Sequence, residues 1–306
     1  MRVFVAGATG AIGRPVVRQL AAAGHDVVGM TRREERAAQI REVGAEAVVC
    51  DAFDAEGLRD AVVAARPEVV VHLLTALPQR YDRKSDWLEP TNRIRREGTR
   101  NLVEAAVAAG ARRMVAESIA FVYRQEGGWT KGEEEAIEDR AGPGVAVADL
   151  ERQVRETDLE GLVLRYGWFY GPGTYFDRGG QEAEQVEKRR FPIVGKGTGT
   201  FSFVSTEDAA AATVAALEKG RAGQAYNIVD DEPVRWADYL DALAAELAVR
   251  RPRRVPTWML RAIPYLHTLM TTSMRVSNAK ARRELGWAPV VSTYREGIPL
   301  VARASR

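Results

Sequence analysis

The segment Gly7-Ala8-Thr9-Gly10-Ala11-Ile12-Gly13 constrains this chain more than any other, because it directly follows strand-like Val3-Phe4-Val5 and opens a stretch of helical periodicity. Glycines at that spacing permit a tight turn and let backbone come close to a pyrophosphate. The helix-terminal N–H groups that follow favour its negative charge. Gly7, Thr9, Gly10, Ala11, Ile12 and Gly13 are therefore read as a dinucleotide cradle. The strand-turn-helix context separates the motif from an ordinary glycine-rich turn.

Behind this turn, short β-branched runs alternate with Ala-rich stretches. The pattern predicts strands near 2–6, 26–30, 46–50, 68–74, 112–118 and 161–166, with helices over 12–23, 54–65, 91–109 and 145–158. Such alternation specifies an α/β fold, a Rossmann-type doubly wound parallel sheet with a smaller C-terminal substrate lobe. The expected division gives residues 1–167 to the dinucleotide-binding domain, with 201–230 returning to it, and 168–200 and 231–306 to the lobe.

The second strand ends in Gly29-Met30-Thr31-Arg32-Arg33, where a carboxylate for the ribose 2′-hydroxyl of NAD is usual. A guanidinium at that place grips a 2′-phosphate through paired charge-assisted bonds, so Arg32 and Arg33 point to NADP. They could also simply begin a solvated helix with Glu34 and Glu35. Asp51, with Ala52 behind it, is a candidate for the adenine edge or a turn cap with Asp54.

Composition removes several classes of function. The 44 basic and 42 acidic residues leave a formal charge of +2, without a basic tail, so no nucleic-acid partner is expected. Arg250, Arg251, Arg253 and Arg254 cluster, but Pro252 interrupts them and the segment reads as a solvated loop. The single cysteine, Cys50, excludes an internal disulfide framework. Acidic Glu133 to Asp139 has no histidine at metal spacing, so no metal site is expected and a solvated surface is. No run approaches a membrane span and no leader-like stretch follows Met1, so the expectation is a cytoplasmic protein without a membrane partner.

Several further segments stand in one order: Val71-His72-Leu73-Leu74, Gly98-Thr99-Arg100-Asn101-Leu102, Leu164 to Gly173, Phe203 to Ala210, Tyr226-Asn227-Ile228 and Ser277 to Trp287. Together with the glycine turn they resemble the extended short-chain dehydrogenase/reductases, the group of sugar-nucleotide epimerases, dehydratases and related reductases. The resemblance covers nearly the whole chain. It implies further cofactor contacts from Leu74 and Thr75 after the fourth strand, and from Trp168 and Phe169 in the loop that passes the nicotinamide.

It also implies acid/base work by a tyrosine, a lysine four residues later and a serine, and here the chain departs from the pattern. Val145 falls in the tyrosine slot, Asp149 in the lysine slot and Ile119 in the serine slot, while Arg95 stands where the preceding helix usually has asparagine. Ser118 and Tyr123 are the remaining candidates for the proton. Glu117, Tyr166 and Tyr170 also end strands of the expected site. His72, inside an apolar strand, reads as a core histidine, and His267 falls in the expected substrate lobe.

The resulting expectation is an NADP-dependent oxidoreductase acting on a small organic carbonyl or enone. The alternatives are a catalytically silent NADP(H) sensor or a sugar-nucleotide epimerase or dehydratase. A homodimer through helices 91–109 and 145–158 is implied by the resemblance.

Overall fold

A computed structural model describes residues 1–81, 86–260 and 272–303. His267 lies outside the described residues. Seven strands form one parallel sheet: β1 (Arg2–Ala6), β2 (Asp26–Thr31), β3 (Glu46–Val49), β4 (Val69–His72), β5 (Arg113–Ile119), β6 (Glu160–Tyr166) and β7 (Ala225–Ile228). Their spatial order is β7-β6-β5-β4-β1-β2-β3, so the winding reverses between β1 and β4. Ligands of open parallel sheets bind beyond the strand C-termini at such a reversal.

Apolar side chains alternate across this sheet and are buried on both faces, which is why the strands read as continuous apolar runs. Val3, Val5, Val71, Leu162 and Leu164 face helices α1 (Gly13–Ala22) and α6 (Thr206–Lys219), together with the helix Ala279–Leu285. Phe4, Val70, Met114, Ala116 and Val163 face the opposite layer. That layer contains α3 (Ala55–Ala65), α4 (Thr99–Ala108) and α5 (Pro143–Arg155), and α2 (Glu34–Arg41) links β2 to β3.

Helix α1 forms because Pro15 sits in its first turn, where a missing N–H costs nothing, and Val16, Val17 and Leu20 make one buried stripe. Helix α4 is preceded by a single π-helical turn, Ile94–Gly98, that continues from the helical turn Glu89–Arg93. Such turns shift the register of side chains and recur at functional sites. Arg95 lies within it.

A third apolar cluster lies beside the sheet, built from aromatic Phe176, Phe191, Phe203, Trp236 and Tyr239 among others. Residues 201–230 connect it to the sheet. Strand Phe203–Ser205 runs parallel to Trp168–Tyr170, α6 packs against α1, and β7 adds to the sheet beside β6. Among the described residues, no helix is long and apolar enough to cross a membrane.

Candidate active site

The glycine turn connects β1 to α1. Gly7 has φ +91°, and a Cβ there would lie 2.5 Å from Leu73 O, so both backbone conformation and the neighbouring strand demand glycine. A Cβ on Gly13 would come within 2.1 Å of Gly7 O, which is too close for any side chain. At Gly10 the only atom within 4 Å of an added Cβ is Gly7 O at 3.3 Å, and the residue is exposed. Its missing side chain leaves the turn open towards solvent. Helix α1 starts without a side-chain cap and without an acid in its first turn; Arg14 N already donates to Gly10 O at 3.2 Å and Pro15 has no N–H, so the first-turn N–H offered to an anion is that of Gly13. These features fit the pyrophosphate of a dinucleotide.

The turn is tied to the end of β2, where Ala8 N donates to Met30 O at 3.2 Å and Thr9 Oγ1 lies 3.5 Å from Thr31 Oγ1. Arg32 and Arg33 follow and are exposed. Neither guanidinium has an ion pair or hydrogen bond among the described residues, whereas neighbouring Glu34 pairs with Arg41. After β3, Asp51 Oδ1 accepts from Phe53 N at 2.9 Å and makes a turn, and Ala52 is buried with its carbonyl accepting from Asn101 Nδ2.

Beyond β4, Leu74 is half-buried and Thr75 exposed. His72 holds this exit in place. Its Nδ1 accepts from Leu74 N at 3.2 Å, so Nε2 carries the proton and donates to Thr99 Oγ1 at 2.9 Å. Burial pushes the ring down to about 4, and it stays neutral as the core histidine that the sequence suggests.

At β5 the two faces of the strand differ. Ser118 is buried and donates to Glu151 Oε1 of α5 at 2.6 Å. The same carboxylate takes a fork from Arg165 of β6, Nε at 2.8 Å and Nη2 at 2.7 Å. Arg165 Nη1 also donates to Tyr123 Oη, which in turn donates to Asn227 Oδ1 at 2.6 Å. Burial pushes the Tyr123 hydroxyl up to about 12, against the pull of Arg165.

Both hydroxyls expected to supply the proton are thus engaged inside the protein, in a network with a buried ion pair. Tyr166 and Tyr170 are similar: Tyr166 Oη lies 2.7 Å from Thr213 Oγ1, and Tyr170 donates to Asp230. Sequence reasoning missed Glu151 and Arg165. A charge between Leu164 and Tyr166 on a buried strand, and an acid on the apolar stripe Val147, Leu150, Val154 of α5, were the available signals.

Glu117 points to the other face. It is half-buried, and among the described residues it has no hydrogen bond or ion pair. Burial pushes its carboxyl up to about 8, while the charge of Arg95 acts in the opposite direction. Arg95 is half-buried and donates to Asn92 Oδ1 at 3.1 Å. Of the residues in the usual tyrosine, lysine and serine slots, Val145 is 44% exposed, Ile119 half-buried, and Asp149 bonded to Arg152 and Gln153.

Trp168 and Phe169 point to opposite sides of their short strand. Trp168 stacks on Phe121 with centroids 4.7 Å apart, while Phe169 tilts against Tyr166 on the sheet side. The acidic stretch is not wholly solvated as expected. Glu133 is half-buried, because its carboxylate accepts from Asn227 N at 2.8 Å and its carbonyl accepts from Arg165.

The sequence profile of the NAD dependent epimerase/dehydratase family matches residues 3–229. The chain belongs to this family. It is 44% identical to a 3-diazoavenalumate denitrifying reductase of Streptomyces, over 97% of this chain and 99% of the relative. A UDP-glucose 4-epimerase of Thermotoga maritima, solved with UDP-glucose, superposes with TM-score 0.80 at 21% identity, covering 99% of this chain and 97% of the other. A dTDP-glucose 4,6-dehydratase of Streptomyces venezuelae, solved with NAD, gives TM-score 0.80 at 23% identity over 99% and 96% of the two chains. At these identities the two structures establish the shared fold.

Proposed function

We propose that this family member is an NADP(H)-dependent reductase of a small organic electrophile, a carbonyl compound or conjugated alkene. The observation that carries the reading is the occupancy of the proton-transfer slots. Val145, Asp149 and Ile119 cannot act as the tyrosine, lysine and serine of an epimerase or dehydratase, while the glycine cradle keeps every backbone requirement.

Bound cofactor supplies the hydride. The chain holds the pyrophosphate at Gly10 and the α1 terminus, presents Arg32 and Arg33 to a 2′-phosphate, and lines the crevice beyond β5 with apolar Ile119. Positioning of this kind can itself supply a large part of the rate.

The relationship to a denitrifying reductase favours a second acceptor, a diazo compound. Net hydride transfer to the carbon of an arenediazonium breaks the C–N bond, forms a C–H bond and releases dinitrogen. No proton has to be delivered, which suits a site without the tyrosine–lysine pair.

Calorimetric titration with NADPH and NADH, followed by turnover of an enone, a ketone and an arenediazonium, tests the reading. NADPH is expected to bind more tightly, and Arg32→Ala to weaken it by roughly 10- to 100-fold, the value of a charge-assisted contact of about 1.5–3 kcal/mol. NADH should change little. Equal affinity for both cofactors removes NADP, and cofactor binding without consumption of any acceptor favours a sensor. The reading also includes a homodimer through α4 and α5, whose Val107 and Val145 are each 44% exposed. A monomer in light scattering at micromolar concentration would discard it.

A further inference from the structure

Side chains along β5 alternate in direction, so Met114, Ala116 and Ser118 face α4 and α5 while Val115, Glu117 and Ile119 face the layer of α1 and α6. The buried cluster on that side contains Ala8 and Ile12 of the glycine turn, Leu73 beyond β4, and Tyr166. Glu117 pairs in register with Leu164 of β6, and His72 of β4 pairs with Ala116, one residue before it. Its carboxyl therefore stands at the C-terminal end of a central strand, next to the reversal of winding where the cradle opens.

A half-buried carboxyl on a strand of the central sheet usually has a partner, since partial loss of water without one is costly. Glu117 has none among the described residues. Two groups act on it or feel it electrostatically: the Arg95 guanidinium, from the π-helical turn, and the Tyr166 hydroxyl, which is already bonded to Thr213. Arg95 is itself half-buried, and among the described residues its one hydrogen bond is to Asn92. An acid and a cation whose charge acts on it thus lie at the C-terminal end of β5, while the slots of the usual tyrosine and lysine lie on α5, on the other side of the sheet.

We propose that Glu117 is the proton donor of this site and that Arg95 is its positioning residue. The proposal rests on the reductase reading. When hydride adds to the β-carbon of an enone, the π electrons move to oxygen. The O–H bond of the Glu117 carboxylic acid then breaks and a new O–H bond forms on the substrate. The carboxylate left behind is favoured by the charge of Arg95 and takes its proton back from solvent water before the next turnover. With the free acid held up to about 8 by burial, Glu117 carries its proton at neutral pH and is close to the acidity that makes proton transfer efficient.

The test compares two acceptors at saturating NADPH, with cofactor binding titrated for each variant and enzyme-free rates subtracted. Glu117→Gln preserves shape and removes the acid. It should lower the ratio of enone to arenediazonium turnover by about 10²-fold or more, since only the enone needs a proton and loss of a general acid typically costs about 10²–10⁴. The parent's enone kcat/KM should fall above about pH 8, Glu117→Asp should keep a descending limb, and Glu117→Gln should show none. Arg95→Met should move the limb to higher pH, because the cation favours the ionised carboxylate.

If the parent reduces the enone and Glu117→Gln reduces it equally well, the donor assignment is overturned and the reductase reading stands. An equal loss on both acceptors also overturns it, since that is the mark of a structural role. If the parent reduces neither acceptor, the reductase reading fails and the donor assignment fails with it.

Discussion

Glu117 and Ser118 are neighbours on one strand with opposite surroundings. Ser118 lies under α5, where Glu151, Arg165, Tyr123 and Asn227 answer one another's donors and acceptors. Glu117, on the other face, feels the charge of Arg95 but has no hydrogen-bond partner among the described residues. A satisfied polar network holds elements in place, here tying β5 to α5 and β6, and its groups are expensive to move. A titratable group left without partners destabilises the fold, and such groups concentrate where they take part in chemistry.

The largest expected effect separates the two faces by stability. Glu151→Ala leaves the buried Arg165 guanidinium without its counter-charge and should cost about 3–5 kcal/mol in urea unfolding. Glu117→Gln removes no partner and should leave stability equal or higher at neutral pH. The same unfolding series across pH sharpens the contrast.

In the unfolded chain Glu117 titrates near the ordinary value of about 4.3, and in the native state at about 8. Between these values the native state holds a proton that the unfolded state has lost. The contribution is therefore fully present below about pH 4.3 and disappears as pH rises through 8. Buried Asp230, also raised to about 8, acts in the same direction, so Glu117→Gln should flatten only part of the slope. An unchanged slope in Glu117→Gln means that its carboxyl is ionised at neutral pH. A loss below about 1 kcal/mol in Glu151→Ala means that the ion pair does not secure the strand.

The sheet was legible because its physics is local. Apolar runs such as Val69 to Val71 and the periodic Val16, Val17 and Leu20 name their own faces, and the glycine turn is demanded by backbone distances that no side chain allows. The surroundings of the candidate proton donors were not legible. Ser118 and Tyr123 looked like free hydroxyls because their partners, Glu151, Arg165 and Asn227, are 33, 42 and 104 residues away and meet them only through the packing of α5, β6 and β7. Glu133 misled for the same reason, as an acidic run reads as solvent-facing until Asn227 N is found beside it. Glu117 was visible as a charge after an apolar run, but its lack of a partner is a property of three dimensions.

The smallest expected effect concerns the positions where the family's usual pair would stand. Val145 has no titratable group, and its side chain is 44% exposed, so Val145→Ala removes little packing and no chemistry. Asp149 is already bonded to Arg152 at 2.6 Å and to Gln153 at 2.9 Å, both on its own helix. Intrahelical pairs of this kind contribute about 0.3–0.5 kcal/mol, so Asp149→Ala should hardly change unfolding. Neither variant touches the Glu151 network or the Glu117 carboxyl. NADPH-dependent turnover in both should therefore remain within about tenfold of the parent, well short of the 10²–10⁴ expected from losing a general acid. If Asp149→Ala abolishes turnover while the protein stays folded and binds NADPH normally, proton transfer runs through α5 after all, and the face of β5 that matters is the one carrying Ser118.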